Sequence, residues 1–354
     1  MRFIHTADIH LGATPENQHE WAKDRADELW NTFERLIKQI KEKPVDMLII
    51  AGDLFHRQPL LREIKEVDYL FSTIPTTKVV LCAGNHDFIK KGSFYDGYEW
   101  SENVIFLNGK NVEKVEIPEL NTAVYGLSYY SREITDSMYD NVIVENPEMI
   151  NILVAHGGDE KHIPMNRQRM AMSGFDYTAI GHIHKPFVDE DAKMAYCGSL
   201  EPIDVNETGD RGYIYGEVTK NELKLEFVPF AKRIYIDLDF TVTPDSTNME
   251  IKQRLEEVYE ENGVDNMYRI TFTGYRDPEF EIDEKEVERS GNVTGIIDQT
   301  VPDYDFQDLY EDNKDNILGL FIYRYLIKDE LSETEQKTLY YGTKALMDAM
   351  EDVE

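Results

Sequence analysis

Cysteine is almost absent from this 354-residue chain: only Cys82 and Cys197 occur, each inside an apolar stretch. Two such thiols exclude a disulfide-stapled scaffold and a thiolate metal cage, and read as buried and reduced. Long apolar runs are missing too. None approaches the roughly 18–20 residues of a membrane-spanning helix. The first strand begins at Met1, with no basic stretch, apolar core and small-residue cleavage site before it, so a secretory leader is not expected and the cytoplasm is the expected compartment. Basic side chains are scarce: 37 Lys and Arg stand against 69 Asp and Glu, a net charge of −32. That excess disfavours broad contact with a polyanion. It is uneven, with 24 basic and 38 acidic residues over 1–230 (−14) but 13 and 31 over 231–354 (−18). A polyanion would be met only where metal ions and a local basic rim neutralise it. Internal repeats and low-complexity tracts are also lacking.

What is present is a 41% hydrophobic fraction, ample for a core, in a chain long enough for two modest domains. Strands are expected at 1–7, 45–51, 78–83, 104–107, 123–127, 152–155, 177–180, 194–197, 213–218 and 223–228. Leu29, Phe33, Leu36, Ile37 and Ile40 recur at helical spacing, as do Ile64, Val67, Leu70, Phe71 and Ile74 before Pro75. Strands bounded by helices imply a covered sheet, and the late strands without helices imply a second sheet packed on it. After Phe230 the pattern changes to alternating strands (233–240, 268–273, 293–297) with a helix over 248–259, a small α+β domain. Helices follow at 317–327, apolar on most faces, and 338–350.

Five short segments share one placement, each just after an apolar strand: Asp8-Ile9-His10, Gly52-Asp53-Leu54-Phe55-His56, Gly84-Asn85-His86-Asp87, His156-Gly157-Gly158 and Gly181-His182-Ile183-His184. Loops at the carboxyl ends of strands converge in an open α/β sheet, which is where sites form. The set supplies nitrogen and oxygen donors without thiolate, matched to manganese, iron or zinc better than to magnesium or calcium. Glycines at 52, 84 and 181 allow sharp turns, at positive φ if required. His5, His19 and His162 fall outside these segments and are assigned to structure. Arg57, Lys90, Lys91, Arg167 and Arg169 lie near the loops and are candidates for phosphate contact, though solvated surface charge is the plainer role.

In this order, these segments resemble the calcineurin-type metallophosphoesterase superfamily. Asp8–Leu11, Gly52–His56 and Gly198-Ser199-Leu200-Glu201-Pro202 are similar to its SbcD branch, including YhaO-like exonucleases. The resemblance implies a four-layer α/β/β/α sandwich over 1–230, a capping α+β domain over 231–302 and a helical tail over 303–354. It implies one metal held by Asp8, His10, Asp53 and His184 and a second by Asp53, Asn85, His156 and His182, most simply two manganese ions. His86 would stabilise the transition state or protonate the leaving group, His56 would be a second non-ligand catalytic group, and Asp87 would orient His86 or form the turn. The implied activity is DNA hydrolysis, as a 3′–5′ exonuclease with single-strand endonuclease action also open, in DNA repair. The implied partners are DNA and an SbcC-type, SMC-like ATPase clasped by the tail, with a homodimer allowed. The alternative is a phosphoprotein, nucleotide or cyclic-nucleotide phosphoesterase of the same fold. Phosphoprotein phosphatases of the superfamily show Gly-Asp-X-Val-Asp-Arg-Gly and Gly-Asn-His-Glu, where this chain has Leu54-Phe55-His56-Arg57 and Asp87.

Overall fold

Strand Met47–Ala51 shows how the layers arise. Its side chains alternate between two apolar surroundings, as the two-residue period of a strand requires. Leu48 and Ile50 pack with Phe33, Leu36, Ile37, Ile64, Val67 and Phe71. Met47, Ile49 and Ala51 pack with Val124, Ile152, Val154 and Ala179. The first set comes from helices Arg25–Glu42 and Leu61–Ser72, the second from another sheet. A strand buried on both faces reads as a continuous apolar run.

The computed structural model describes residues 1–351, so the last three residues of the expected 303–354 tail lie outside the described residues. The chain forms two compact units, Met1–Tyr235 and Ile236–Glu354. In the first, one six-stranded sheet runs in the order Leu223–Pro229, Gly212–Val218, Arg2–Thr6, Met47–Ala51, Lys78–Cys82, Val104–Phe106. The last four strands are mutually parallel, and the first two are antiparallel additions. The second sheet runs Glu113–Ile117, Thr122–Gly126, Ile150–His156, Tyr177–Gly181, Met194–Tyr196, Phe187–Asp189. Its outer face is covered by Tyr129, Ile134, Tyr139, Met149, Ile163 and Met170. Only Met170 among these belongs to a helix, the five-residue Arg167–Ala171, so the fourth layer of the sandwich is mostly irregular chain.

One expectation fails here. The late strands Gly212–Val218 and Leu223–Pro229 do not build the second sheet; they extend the first, Ile4 pairing with Tyr215. The second sheet forms instead from the middle of the chain. Two edge strands, Glu113–Ile117 and Phe187–Asp189, were not expected at all. Cys82 and Cys197 are free and buried, and no described helix is long and apolar enough to cross a membrane.

In the second unit, strands Tyr235–Val242, Met267–Arg276 and Val293–Asp298 form a sheet in that order. Phe240, Ile270 and Phe272 pack on Ile251, Leu255 and Tyr259 of helix Asn248–Asn262 and on Val287. The Thr247 hydroxyl caps that helix by accepting from the Glu250 N–H. Three helices follow, Phe306–Asp312, Ile317–Leu326 and Glu333–Glu351, around Leu318, Ile322 and Leu339.

Candidate metal centre

The parallel strands of both sheets deliver their carboxyl ends to one place. Asp8 follows Arg2–Thr6, Asp53 follows Met47–Ala51 and Asn85 follows Lys78–Cys82; His156 ends its strand and His182 follows Tyr177–Gly181. The first two loops are zipped together: Asp8 N–H donates to the Gly52 carbonyl (3.2 Å), His10 N–H to Asp53 (3.1 Å) and Leu11 N–H to Leu54 (2.9 Å). This crowding bends the backbone. Asp8, His10 and Asp53 sit at φ near +50° and His182 at +93°, a region that costs a non-glycine residue about 1–2 kcal/mol. The expected role of the glycines is therefore only partly positive φ. Gly52 does have φ +90°, but Gly84 is required because a Cβ there would lie 2.2 Å from Asp53 Oδ1.

Asp53 sits between two donor groups. On one side are His10, whose Nε2 is 3.9 Å from Asp53 Oδ2, and His184, whose Nε2 is 3.1 Å from that of His10 and 3.9 Å from Asp8 Oδ1. On the other, His156 Nε2 is 3.3 Å from Asp53 Oδ2. Asn85 Oδ1 then lies 3.0 Å from His156 Nε2 and 3.1 Å from His182 Nδ1. All seven expected ligand residues thus converge. Asp8, His10, Asp53 and His156 are at most 1% exposed.

Burial this complete dominates the titration. It pushes the Asp8 carboxyl up and holds His10 well below the usual histidine range. It also opposes charge on Asp53, but His156 and His10 overcome that and hold the carboxyl far below its ordinary range. Burial likewise opposes charge on His156 and His184, yet Asp53 raises the first to about 9, and Glu207 with Asp8 raises the second to about 9. Buried carboxylates facing imidazole nitrogens, with carbonyl-type oxygen from Asn85, fit divalent cations of borderline hardness. Groups Asp8–His10–His184 and Asp8–Asp53–His156 each have ligand atoms within 4.8 Å of one another.

His86 and His56 border this centre. The His86 N–H donates to Asp53 Oδ1 (2.8 Å), and its Nδ1 lies 3.1 Å from the His56 carbonyl oxygen. His56 Nδ1 lies 3.3 Å from His10 Nδ1. Asp87 does not orient His86. Fully buried, it accepts from Gly84 N–H (2.8 Å), Phe55 N–H (3.2 Å) and the Tyr95 hydroxyl (3.1 Å), so it ties two loops together. Of the basic candidates, Arg57 is held by both oxygens of Glu63, and Arg167 pairs with Asp189 and lies over Phe187. Lys90 and Lys91 make no ion pair among the described residues.

Three residues at the centre escaped the sequence reading. Glu207 Oε1 lies 2.6 Å from His184 Nδ1, and Asp159 Oδ2 lies 2.7 Å from His182 Nε2. His162, assigned to structure, has its ring 4.5 Å from that of His182 and its Nδ1 on the same Asp159 carboxylate. Asp159 followed His156-Gly157-Gly158 directly and could have been flagged; Glu207 carried no local signal.

The chain is similar to known proteins. Residues 1–186 match the calcineurin-like phosphoesterase family model. A Bacillus subtilis protein described as uncharacterized metallophosphoesterase YhaO is 28% identical over 250 residues, 64% of this chain and 60% of its own length. The DNA double-strand break repair protein Mre11 of Methanocaldococcus jannaschii is 29% identical over 242 residues, 64% of each. The protein of the same name from Halobacterium salinarum is 26% identical over 309 residues, 84% of this chain and 76% of that one. The match therefore spans less than two thirds of the first two relatives. With over half its length matched and the donor groups assembled as described, the chain belongs to the calcineurin-like phosphoesterase family.

Proposed function

We propose that this protein hydrolyses DNA phosphodiesters at a two-metal centre, most simply with manganese. One metal would be held by Asp8, His10, Asp53 and His184, the other by Asp53, Asn85, His156 and His182. The observation carrying this is the position of Asp53, one buried carboxylate within reach of donor groups on both sides. When bound, such a cation pair supplies Lewis acidity and a water activated near neutral pH. The chain's own residues supply the rest. The His86 Nδ1–H donates to the His56 carbonyl, which leaves Nε2 to carry the mobile proton toward a departing sugar oxygen. His56, half-buried between His10 and His86, is the second non-ligand group.

The choice of DNA is supported by the Mre11 relatives and by Leu54-Phe55-His56-Arg57 and Asp87 standing where phosphoprotein phosphatases differ. Lys90 and Lys91 are proposed for phosphate contact, as basic candidates without an ion pair among the described residues; Arg57 and Arg167 would first have to leave Glu63 and Asp189. Work in the cytoplasm suits the two reduced thiols. An SbcC-type ATPase is the proposed partner of the tail, through the exposed face of Ile317–Leu326. There Ile317 and Leu320 are 63% and 64% exposed while Leu318 and Ile322 pack inward. On this reading a nuclease domain spans 1–230, a capping domain 231–302 and the tail 303–354, and a homodimer would be read by sedimentation.

The test supplies manganese and compares end-labelled duplex DNA, single-stranded DNA, a phosphopeptide and a cyclic nucleotide, with Asp53→Ala as control. Degradation of DNA from 3′ ends, abolished by Asp53→Ala, is the expected result. Hydrolysis of only the phosphopeptide or cyclic nucleotide would replace the substrate while keeping the centre.

A further inference from the structure

Histidine offers a metal only one nitrogen, and the hydrogen bond at the other decides which one. Three of the four ring systems at this centre turn Nε2 inward. His156 does so because its Nδ1–H donates to the Ala51 carbonyl at 2.9 Å, and His10 Nδ1 is turned toward His56. His184 directs Nε2 toward His10 and Asp8, its Nδ1 lying on Glu207. His182 is reversed. Its Nδ1 faces Asn85 and its Nε2 faces Asp159. Two histidines separated by one residue thus present opposite nitrogens, and each has a carboxylate behind it.

We propose that Glu207 and Asp159 are positioning residues that select these nitrogens, Glu207 fixing His184 and Asp159 fixing His182. The proposal rests on the two-metal reading above. Glu207 is itself held in place: its Oε2 accepts from the Ile203 N–H at 2.9 Å and lies 3.5 Å from the Ser199 hydroxyl. Ser199 N–H in turn donates to the His184 carbonyl at 3.1 Å. This gives Gly198-Ser199-Leu200-Glu201-Pro202 a task that its distance from the ligands hides: it carries the loop back so that Glu207 meets His184. Gly198, at φ +75°, has no room for a Cβ, which would lie 2.7 Å from the His184 carbonyl oxygen.

The two carboxylates are unequal. The Glu207 side chain is 14% exposed, whereas that of Asp159 is 46% exposed and shared with His162, so water competes with its bond to His182. Loss of such a supporting carboxylate lowers metal affinity by about 10–100-fold. Glu207→Ala takes the upper part of that range and Asp159→Ala the lower.

The experiment titrates the metal-free full chain with Mn2+ by calorimetry and follows free Mn2+ by electron paramagnetic resonance. The unmodified protein takes up two ions. In Glu207→Ala one of the two binds about 10–100-fold more weakly while the other is unchanged, and Glu207→Gln recovers most of the loss because its amide oxygen still accepts from Nδ1–H. The melting temperature in metal-free buffer checks folding; should Glu207→Ala unfold, Asp159→Ala, at the more exposed carboxylate, carries the measurement, with Asp159→Asn as its recovering variant. Two ions bound by Glu207→Ala as tightly as by the parent, or no recovery in Glu207→Gln, overturns the positioning role and leaves the metal reading standing. A parent protein that takes up no Mn2+ overturns the metal reading first, and the proposal with it.

Discussion

His86 shows what a single side chain can contribute beside a set of converging donors. Its backbone N–H anchors Asp53 while its ring leans on His10 at 4.8 Å and His56 at 5.1 Å. Replacement by Ala keeps the backbone bond and removes the ring, so Mn2+ stoichiometry should be unchanged while kcat on DNA falls by about 10²–10⁴-fold, the usual worth of a positioned acid. An unaltered kcat would remove His86 from the reaction. His5 makes the opposite case, a histidine that works by staying neutral. Its Nδ1 lies 2.8 Å from the Tyr177 hydroxyl, joining the two sheets. Burial lowers its pKa from 6.5 to about 3. Above pH 6.5 neither the folded nor the unfolded chain protonates it. Between pH 6.5 and 3 only the unfolded chain does, so stability falls as pH falls, by roughly 1.4 kcal/mol per pH unit. His5→Phe should therefore lose less melting temperature than the parent between pH 7 and pH 5; equal losses would refute this. At this scale the sequence was most legible where donor side chains adjoin strands, since those side chains do converge. It was silent on Glu207, which reaches His184 across 23 residues of chain, and it did not anticipate that His162 lies beside His182, because a lone histidine carries no pattern.

Elements were legible where their buried faces repeat. Helix Arg25–Glu42 buries Leu29, Phe33, Leu36, Ile37 and Ile40, each worth about 1.5–3 kcal/mol, and the spacing of those five residues alone announced it. Edge strands announced nothing. Glu113–Ile117 is half-covered and mixes Glu and Lys with Val, the composition that blunts a sheet edge and also erases the strand signal. Buried polar networks were equally invisible. Arg25, fully buried, donates to Glu28 at 2.7 Å and to the Pro202 carbonyl at 2.6 Å, and Glu28 also takes Lys232 and Arg233. Helix Ile317–Leu326 was read as apolar on most faces, and the structure divides it: Leu318 and Ile322 are covered, whereas Ile317 and Leu320 are bare. Leu320→Glu should then leave the melting temperature nearly unchanged, since exposed substitutions stay within about 0.5 kcal/mol, while abolishing co-purification with a cognate SbcC-type ATPase. Retained co-purification would move the docking site elsewhere.

For the molecule as a whole, charge sets the terms of any encounter with DNA. With a net −32, the proposed function leaves the candidate metal centre and a few lysines to meet the phosphates. Affinity should accordingly depend weakly on salt. With Lys90 and Lys91 as the neutralising side chains, log K against log[salt] should fall with a slope of about −2. A slope steeper than about −5, measured by fluorescence anisotropy with Ca2+ in place of Mn2+, would mean an extended basic surface engages DNA instead. Whole-molecule topology was the least legible level, because alternation along a strand says which face is buried and nothing about which strand lies beside it. Gly212–Val218 and Leu223–Pro229 were recognised as strands and assigned to the wrong sheet for that reason.

That pairing has a further consequence. The strand leading to Asp8 is made some two hundred residues before its antiparallel neighbour, Gly212–Val218. All seven donors are already synthesised by then, but one flank of the strand that aims Asp8 is still an open edge. Contacts so distant along the chain close slowly. The nascent polypeptide thus passes through an interval in which all seven donors exist while the strand that aims Asp8 is paired on one flank alone, and the first sheet is completed when the beginning and end of its unit are stitched together.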